Sequence, residues 1–206
     1  ANVIVNPNLR NSRFPSRNLA GVGVAFYVMA ALGRRLENDG TANASRVPAQ
    51  FLDLVALGTV ADVVPLDHNN RILVRQGLDR IRAGRTVAGI EALLTQSGRR
   101  PSRAVSTDLG FAVGPRINAA GRLEDMSVGI ECLLTDDPTV AGQHAAVLDQ
   151  INKDRRGIEA VMKEQAFSFV EALGAQKWPS CVCVYEPGWH QGVVGLIAAR
   201  VKEKCH

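Results

Sequence analysis

Asp62 is the residue whose surroundings most strongly suggest chemistry. It is the only carboxylate in the apolar run 54–66, and its nearest neighbours are valines and an alanine. An ionised carboxylate buried among such residues needs hydrogen bonds, a cationic partner or a metal ion. Two interpretations are open. The residue type favours a capping or turn aspartate that ends a buried segment, and the alternative is a ligand for a hard cation.

A second candidate stretch, residues 110–125, combines glycines and a proline with Arg116, Asn118 and Arg122. This mixture looks too irregular for a plain helix, so we expect a loop. Small residues let a phosphodiester approach backbone amides while a guanidinium makes a bidentate contact. The same residues equally allow a loop whose arginines pair with the two acids at its end.

The third candidate is a turn that contains Trp189 and His190. A strand-like run at 179–185 precedes it, and Gly192 and Gly195 flank the start of an apolar helix after it. Backbone amides at a helix start can bind an anion, so the turn suits a phosphate group. A purely structural histidine is an equally open interpretation.

Asp67 and His68 look like a metal-binding pair. However, Asn69 and Asn70 follow them, and a helix is expected from about Arg71. Asparagine and aspartate are favoured at helix starts, so a capping turn is the preferred interpretation.

The elements that must position these residues are mostly helical in pattern. We expect a β-like run at 1–8, a buried helix at 19–36, a helix at 47–57 that leads into the Asp62 turn, and amphipathic helices at 70–83 and 137–173. The last has Asp137 as its cap and Gly174 as its stop, and at 1.5 Å per residue it would be roughly 50 Å long. Because its middle is strongly polar, we interpret it as a connector between two domains.

The composition is that of a soluble globular protein. The 206 residues are 46% hydrophobic and 21% charged, and the formal net charge of +4 permits a phosphate-rich partner without requiring one. The four cysteines lack a Cys-x-x-Cys spacing, which argues against structural zinc. The sequence contains neither a signal peptide nor an apolar run of membrane-spanning length, so we expect a cytoplasmic protein.

Three stretches together resemble the fourth, fifth and sixth motifs of the DHH phosphoesterase superfamily. They are LGTVADVVPL at 57–66, GPRINAAGR at 114–122 and WHQGVVG at 189–195. Their order, with a long helix between the last two, is similar to that of the bacterial exonucleases of this superfamily that act on single strands. Further matches at 6–8, 19–27 and 70–73 extend the resemblance over nearly the whole chain.

The resemblance implies an α/β fold. Residues 1–136 would be the C-terminal part of a DHH domain, residues 137–174 a long interdomain helix, and residues 175–206 the beginning of a DHH-associated substrate-binding domain. It also implies a nuclease that removes nucleotides from the 5′ end of single-stranded DNA in repair and recombination. Such enzymes hydrolyse the phosphodiester with two divalent cations, manganese or magnesium. The implied partners are single-stranded DNA and other recombination or repair proteins, and the protein would be a monomer.

The resemblance also implies roles for individual residues. Asp62 matches the motif-four metal ligand and would be catalytic. Contacts to phosphates or DNA are implied for six residues: Arg116, Asn118, Arg122, His190, Gly192 and Gly195.

One departure from the family pattern is large. The first-motif aspartates and the Asp-His-His triplet, which in relatives precede the position of Ala1, do not occur in these residues; Asp67-His68 follows the motif-four aspartate and is not that triplet. We therefore expect a segment of a longer protein that is inactive when isolated. Two alternatives stay open: another DHH phosphoesterase that acts on short oligonucleotides, and a non-catalytic nucleic-acid-binding module.

Overall fold

The computed structural model describes residues 3–172, Gly174 and residues 181–205. Regular structure in these ranges is helical. The elements are α1 (Gly21–Asn38), a 3₁₀ segment (Ala44–Phe51), α2 (Leu52–Ala61), α3 (His68–Arg82), α4 (Ala88–Gln96), a 3₁₀ turn (Pro101–Arg103), α5 (Ser106–Asp108), a π-helical turn (Leu109–Val113), α6 (Gly114–Leu123), α7 (Ser127–Leu134), α8 (Pro138–Ala172) and α9 (Val194–Cys205).

The α/β class expected from the sequence is not confirmed, because the described residues contain no strand. Residues 3–8 and 181–185, which belong to the two runs expected to be β-strands, have no regular structure. Residues 1, 2, 179 and 180 of those runs lie outside the described part. A β-branched run forms a strand only where a neighbouring strand satisfies its backbone hydrogen bonds, and no such neighbour is present in the described ranges.

Helix α2, which leads to Asp62, is held against α3 by close backbone packing. A Cβ atom at Gly77 would come within 2.2 Å of the carbonyl oxygen of Leu52, so any side chain there would clash. The apolar residues of α2 join a main core built from α2 through the first half of α8. The fully buried members include Ala56, Ile81, Ile90, Leu93, Leu94, Leu109, Val113, Cys132 and Leu148.

The long helix predicted between Asp137 and residue 173 is confirmed as α8, although residue 173 itself is outside the described part. The Asp137 carboxylate accepts a hydrogen bond from the backbone amide of Thr139 at 2.7 Å, as a cap should. Gly174 follows the helix with a φ of 56°, a value that glycine adopts readily. No helix in the described part of the chain, α8 included, is long and apolar enough to cross a membrane.

Helix α8 carries two separate apolar clusters. Its first half belongs to the main core, whereas Met162 and Ala166 in its second half pack with Val193 and Ile197 around α9. The helix has 35 residues, which corresponds to about 52 Å at 1.5 Å per residue. It therefore supports two packing centres at different positions along its length.

Candidate nucleic-acid interface

Asp62 lies immediately after α2, at the C-terminal end of that helix. Its backbone amide donates to the carbonyl of Gly58 at 3.0 Å, and its side chain is exposed. The carboxylate is therefore not buried among the valines, which agrees with the favoured interpretation of an aspartate at the turn that ends a buried segment. The run is apolar because α2 packs its other faces into the core, while Asp62 stands past the last turn. Its carboxylate makes no hydrogen bond or ion pair with any residue that the structure describes.

The position of Asp62 is locally unfavourable for a carboxylate. A helix C-terminus carries partial negative charge, which disfavours an acid there by about 0.3–1 kcal/mol. The next residue, Val63, has a φ of 56°, in the left-handed region that a β-branched side chain rarely adopts. Val63 is also 85% exposed, so packing within the described structure does not compensate for the strained backbone. Strained backbone of this kind is concentrated at functional sites.

A buried polar network holds the loop that follows Val63. Asn70 is fully buried, and its side-chain amide donates to the carbonyls of Pro65 at 2.9 Å and Asn18 at 2.7 Å. The Asp67 carboxylate accepts from the backbone amide of Asn70 at 2.9 Å and from the Ser16 hydroxyl at 2.6 Å. The hydrogen bond from the Asn70 amide, followed by the one from Ser16, lowers the pKa of Asp67 below its ordinary value. The preferred capping interpretation of Asp67 and His68 is confirmed, and His68 is exposed.

The stretch that contains Asn118 and Arg122 is helical, so the expected loop is wrong. Pro115 sits in the first turn of α6, where a missing amide hydrogen is tolerated. The π-turn before it closes with a hydrogen bond from the Gly114 amide to the carbonyl of Leu109. This turn lies against the end of α2, since a Cβ atom at Gly114 would be 3.3 Å from that of Ala61. The N-terminal end of α6 is thereby placed next to Asp62.

One face of α6 is open to solvent. Asn118 and Arg122 are both exposed and lie four residues apart, so they share this face, while the opposite face buries Ala119 and Ala120. Arg122, near the end of α6, donates from Nη1 to the carbonyl of Gly192 at 3.0 Å. The open face of α6 therefore runs for about 15 Å from the Asp62 end to the turn before α9.

Arg116 points away from that open face. Its guanidinium donates to the Asp149 carboxylate at 2.9 Å and 2.7 Å and to the carbonyl of Ala112 at 2.6 Å. The two side chains are only 13% and 7% exposed, and Lys153 adds a second contact to Asp149 at 2.9 Å. Burial of the Asp149 carboxyl acts to raise its pKa, but the hydrogen bonds from Lys153 and Arg116 outweigh burial and hold the pKa below its ordinary value.

This pair joins α6 to α8. The pairing of the arginines with Glu124 and Asp125, left open by the sequence, does not occur in the structure: Asp125 instead accepts from Ser127. The phosphate contact assigned to Arg116 by resemblance stays a prediction.

Asp149 was missed in the sequence because its partner, Arg116, is 33 residues away. Its signal in the sequence is an acid beside Leu148 on the apolar face of α8.

The turn before α9 is held in place by backbone and side-chain contacts. The Gly192 amide donates to His190 Nδ1 at 3.1 Å, which places the proton of a neutral ring on Nε2. A Cβ atom at Gly192 would be 2.0 Å from the carbonyl oxygen of Arg122, so only glycine lets the turn approach α6 this closely. By contrast, the space around Gly195 is open. Since Gly195 lies in the first turn of α9, its amide has no partner within the helix.

The described residues do not form a metal site by themselves. No group of three or more histidine, cysteine, aspartate or glutamate side chains is arranged to hold an ion among them. Asp62 is an exposed carboxylate with no partner in the described part of the chain, which suits a single metal ligand but leaves the remaining ligands to be supplied elsewhere.

No protein-family model matches the chain. Over all of its length it is 52% identical to the "Single-stranded-DNA-specific exonuclease RecJ" of Salmonella typhimurium and 51% identical to the protein of that name from Escherichia coli, and it spans 37% of the length of each. A crystal structure of exonuclease RecJ bound to manganese matches 98% of the chain with a TM-score of 0.80 and 32% identity, over 48% of the chain in that crystal. The structure of RecJ in complex with Mg²⁺ from Thermus thermophilus matches 100% of the chain with a TM-score of 0.81 and 32% identity, over 30% of its own chain.

These matches give the chain the helical part of a DHH-family fold, which confirms the resemblance read from the three motifs. Within that class, the chain belongs to the family of RecJ, the single-stranded-DNA-specific exonuclease, to which it is homologous along its whole length.

Proposed function

We propose that this chain is part of an exonuclease that removes nucleotides from the 5′ end of single-stranded DNA, in repair and recombination. The observation that carries the proposal is the open face of α6, which links Asp62, unpaired among the described residues, at one end to the His190 turn at the other. The name and the ligands of the relatives support the same activity.

In this proposal the strand follows the open face of α6. Asn118 and Arg122 contact its phosphates, since an exposed guanidinium recognises phosphate well and Arg122 has Nη2 free of any hydrogen bond among the described residues. His190 and the first amides of α9, including that of Gly195, hold a neighbouring phosphate. Gly192 brings this turn against α6. Arg116 acts by fixing α6 on α8.

Asp62 would be one ligand of a manganese or magnesium pair, which are the ions bound to RecJ in the matching structures. The described residues supply too few ligands for such a pair. We therefore expect the 206 residues alone neither to hold the pair nor to cut DNA.

The division of the chain into residues 1–136, 137–174 and 175–206 belongs to the same proposal. The two apolar clusters along α8 support it, because one lies with the earlier helices and the other with α9. The cytoplasm, a monomeric state and partners from recombination or repair are proposed from the resemblance alone.

The test is to recover the whole protein from its gene and assay it with Mn²⁺ on single-stranded DNA labelled at the 5′ end. Asp62→Asn is compared with Asp136→Asn, a matched control in which an exposed acid between α7 and α8 is changed. We expect release of 5′ label by the wild-type protein and the control, and its loss in Asp62→Asn.

Each other outcome selects an alternative. Cleavage confined to dinucleotides or other short oligonucleotides indicates a different DHH phosphoesterase. Binding of strands without any cleavage indicates a non-catalytic module. Equal cleavage by both variants removes Asp62 from the reaction.

A further inference from the structure

Phe111 is the most exposed of the six phenylalanines, with 79% of its surface accessible. It lies in the π-turn Leu109–Val113, between the buried residues Leu109 and Ala112. Burying a side chain of this size is normally favourable by about 1.5–3 kcal/mol relative to exposure. The described part of the chain does not gain that energy at Phe111, although the surrounding turn is well packed. π-turns of this kind are found frequently at functional sites.

The turn holds Phe111 at the Asp62 end of α6. A Cβ atom at Gly110 would lie 3.1 Å from a methyl group of Val60, so the backbone next to Phe111 contacts the last turn of α2. Asp62 follows that turn directly. The aromatic ring therefore projects from a backbone that contacts the last turn of α2, directly before the exposed carboxylate of Asp62.

Phe111 also continues the open face of α6. The spacing from Phe111 to Pro115, Asn118 and Arg122 is four, three and four residues, which places these side chains on one side of consecutive turns. Pro115 is half-buried and the other three are exposed. An apolar ring, a side-chain amide and a guanidinium thus follow one another along a single line.

We propose that Phe111 is a stacking platform for a nucleobase of the bound strand, an assignment that rests on the proposed function. An aromatic face stacks on any base, whereas an amide and a guanidinium contact the sugar-phosphate backbone. The base that stacks is the one nearest Asp62, where the strand would be cut. Contact with the face of a base would explain why a large apolar ring is left uncovered by the described residues.

The experiment couples a change in the protein to a change in the DNA. Whole-protein variants Phe111→Ala, Phe111→Leu and Phe111→Trp are titrated with a 3′-fluorescein oligothymidylate in EDTA, so that no strand is cut. Phe169→Ala, which removes another exposed phenylalanine on α8, is the matched control. Each titration is repeated with oligonucleotides that carry one abasic site, moved along the strand from the 5′ end.

Stacking is worth about 1–3 kcal/mol per base, so Phe111→Ala and Phe111→Leu should weaken binding about 5- to 150-fold, while Phe111→Trp binds like the wild type. At one abasic position the wild-type protein should bind as weakly as Phe111→Ala, and the variant should lose nothing further. A loss that is the same at every abasic position, or no loss at all, overturns the proposal.

Thermal unfolding of the whole protein tests whether another part of the protein, and not a nucleobase, covers Phe111. A ring covered by another part of the whole protein gives a strongly destabilised Phe111→Ala variant with no dependence on the abasic site, and that result also overturns the proposal. The proposed function is judged separately, by the binding and cleavage of the wild-type protein. A wild type that binds no single strand overturns both proposals.

Discussion

The buried pair Arg116–Asp149 allows the positioning role of Arg116 to be separated from a direct contact with phosphate. Removing one member of a buried ion pair destabilises a protein by about 3–5 kcal/mol, because the other charge stays buried without a partner. Among the described residues, Asp149→Ala leaves Arg116 with the Ala112 carbonyl alone, so we expect the free energy of unfolding to fall by an amount in that range. Arg116→Ala leaves Asp149 paired with Lys153, whose side chain is largely exposed. We therefore expect a smaller fall in the free energy of unfolding, of about 2–3 kcal/mol.

Replacing both members by apolar residues should behave differently. In Arg116→Met/Asp149→Leu no buried charge is left, and such replacements are commonly neutral or stabilising. Urea unfolding of the two single variants and the double variant gives the coupling between the sites, provided that the m-value is unchanged. Losses in the single variants that simply add in the double variant would refute the assignment of a buried, coupled pair.

DNA binding supplies the second measurement. Each phosphate contact to a single strand contributes about 0.7 to the slope of log K against log salt. The double variant should keep the wild-type slope, whereas Arg122→Met should lower it by about 0.7. If the double variant also loses about 0.7, Arg116 contacts phosphate and the positioning role is wrong.

Three further predictions concern the turn before α9, the strained residue after Asp62 and the Asp67 cap of α3. Gly192→Ala should lower the free energy of unfolding in urea by about 1–3 kcal/mol, because the added methyl group meets the backbone of α6. Gly195→Ala should leave that free energy unchanged and should weaken strand binding, because its methyl group covers amides at the start of α9. Val63→Gly should stabilise the chain by about 1 kcal/mol by removing left-handed strain, while Asn43→Gly, at a φ of 61° that asparagine tolerates, should stay within about 0.5 kcal/mol. Because the pKa of Asp67 is lowered in the fold, its contribution is present above the ordinary value of 3.8 and is lost as pH falls through the lowered pKa; Asp67→Asn should therefore flatten the acid limb of a stability–pH curve.

Local signals in the sequence were enough to predict most of the helices in the described residues. The apolar spacing and the cap at Asp137 predicted α8 to within two residues of its observed bounds. The strands predicted at 1–8 and 179–185 are not confirmed in the described residues, because a β-branched run such as 181–185 has no regular structure without a pairing neighbour. Residues 110–125, which contain α6, were taken for a loop because glycines and a proline make the pattern irregular. Pro115 is nevertheless compatible with the first helical turn, and Gly114 with close approach to Ala61.

The residues of the candidate site were selected from the sequence motifs. The contacts that connect these residues, such as those of Arg116 and Arg122, were not predicted. Asp62 was selected for a reason that the structure overturns, since its carboxylate is exposed and not buried. In the structure Asp62 is distinguished by two locally unfavourable features. Its carboxylate lies at a helix C-terminus, and the next residue is a valine with left-handed backbone geometry. Glycine at position 63 and an uncharged residue at position 62 would both suit the local fold better. Two adjacent residues that oppose local preference, followed by a loop that the buried Asn70 holds at Pro65, are expected where the chain is shaped for a ligand and not for its own stability. The strain at Val63 is therefore an argument for function at Asp62 that is independent of any relative.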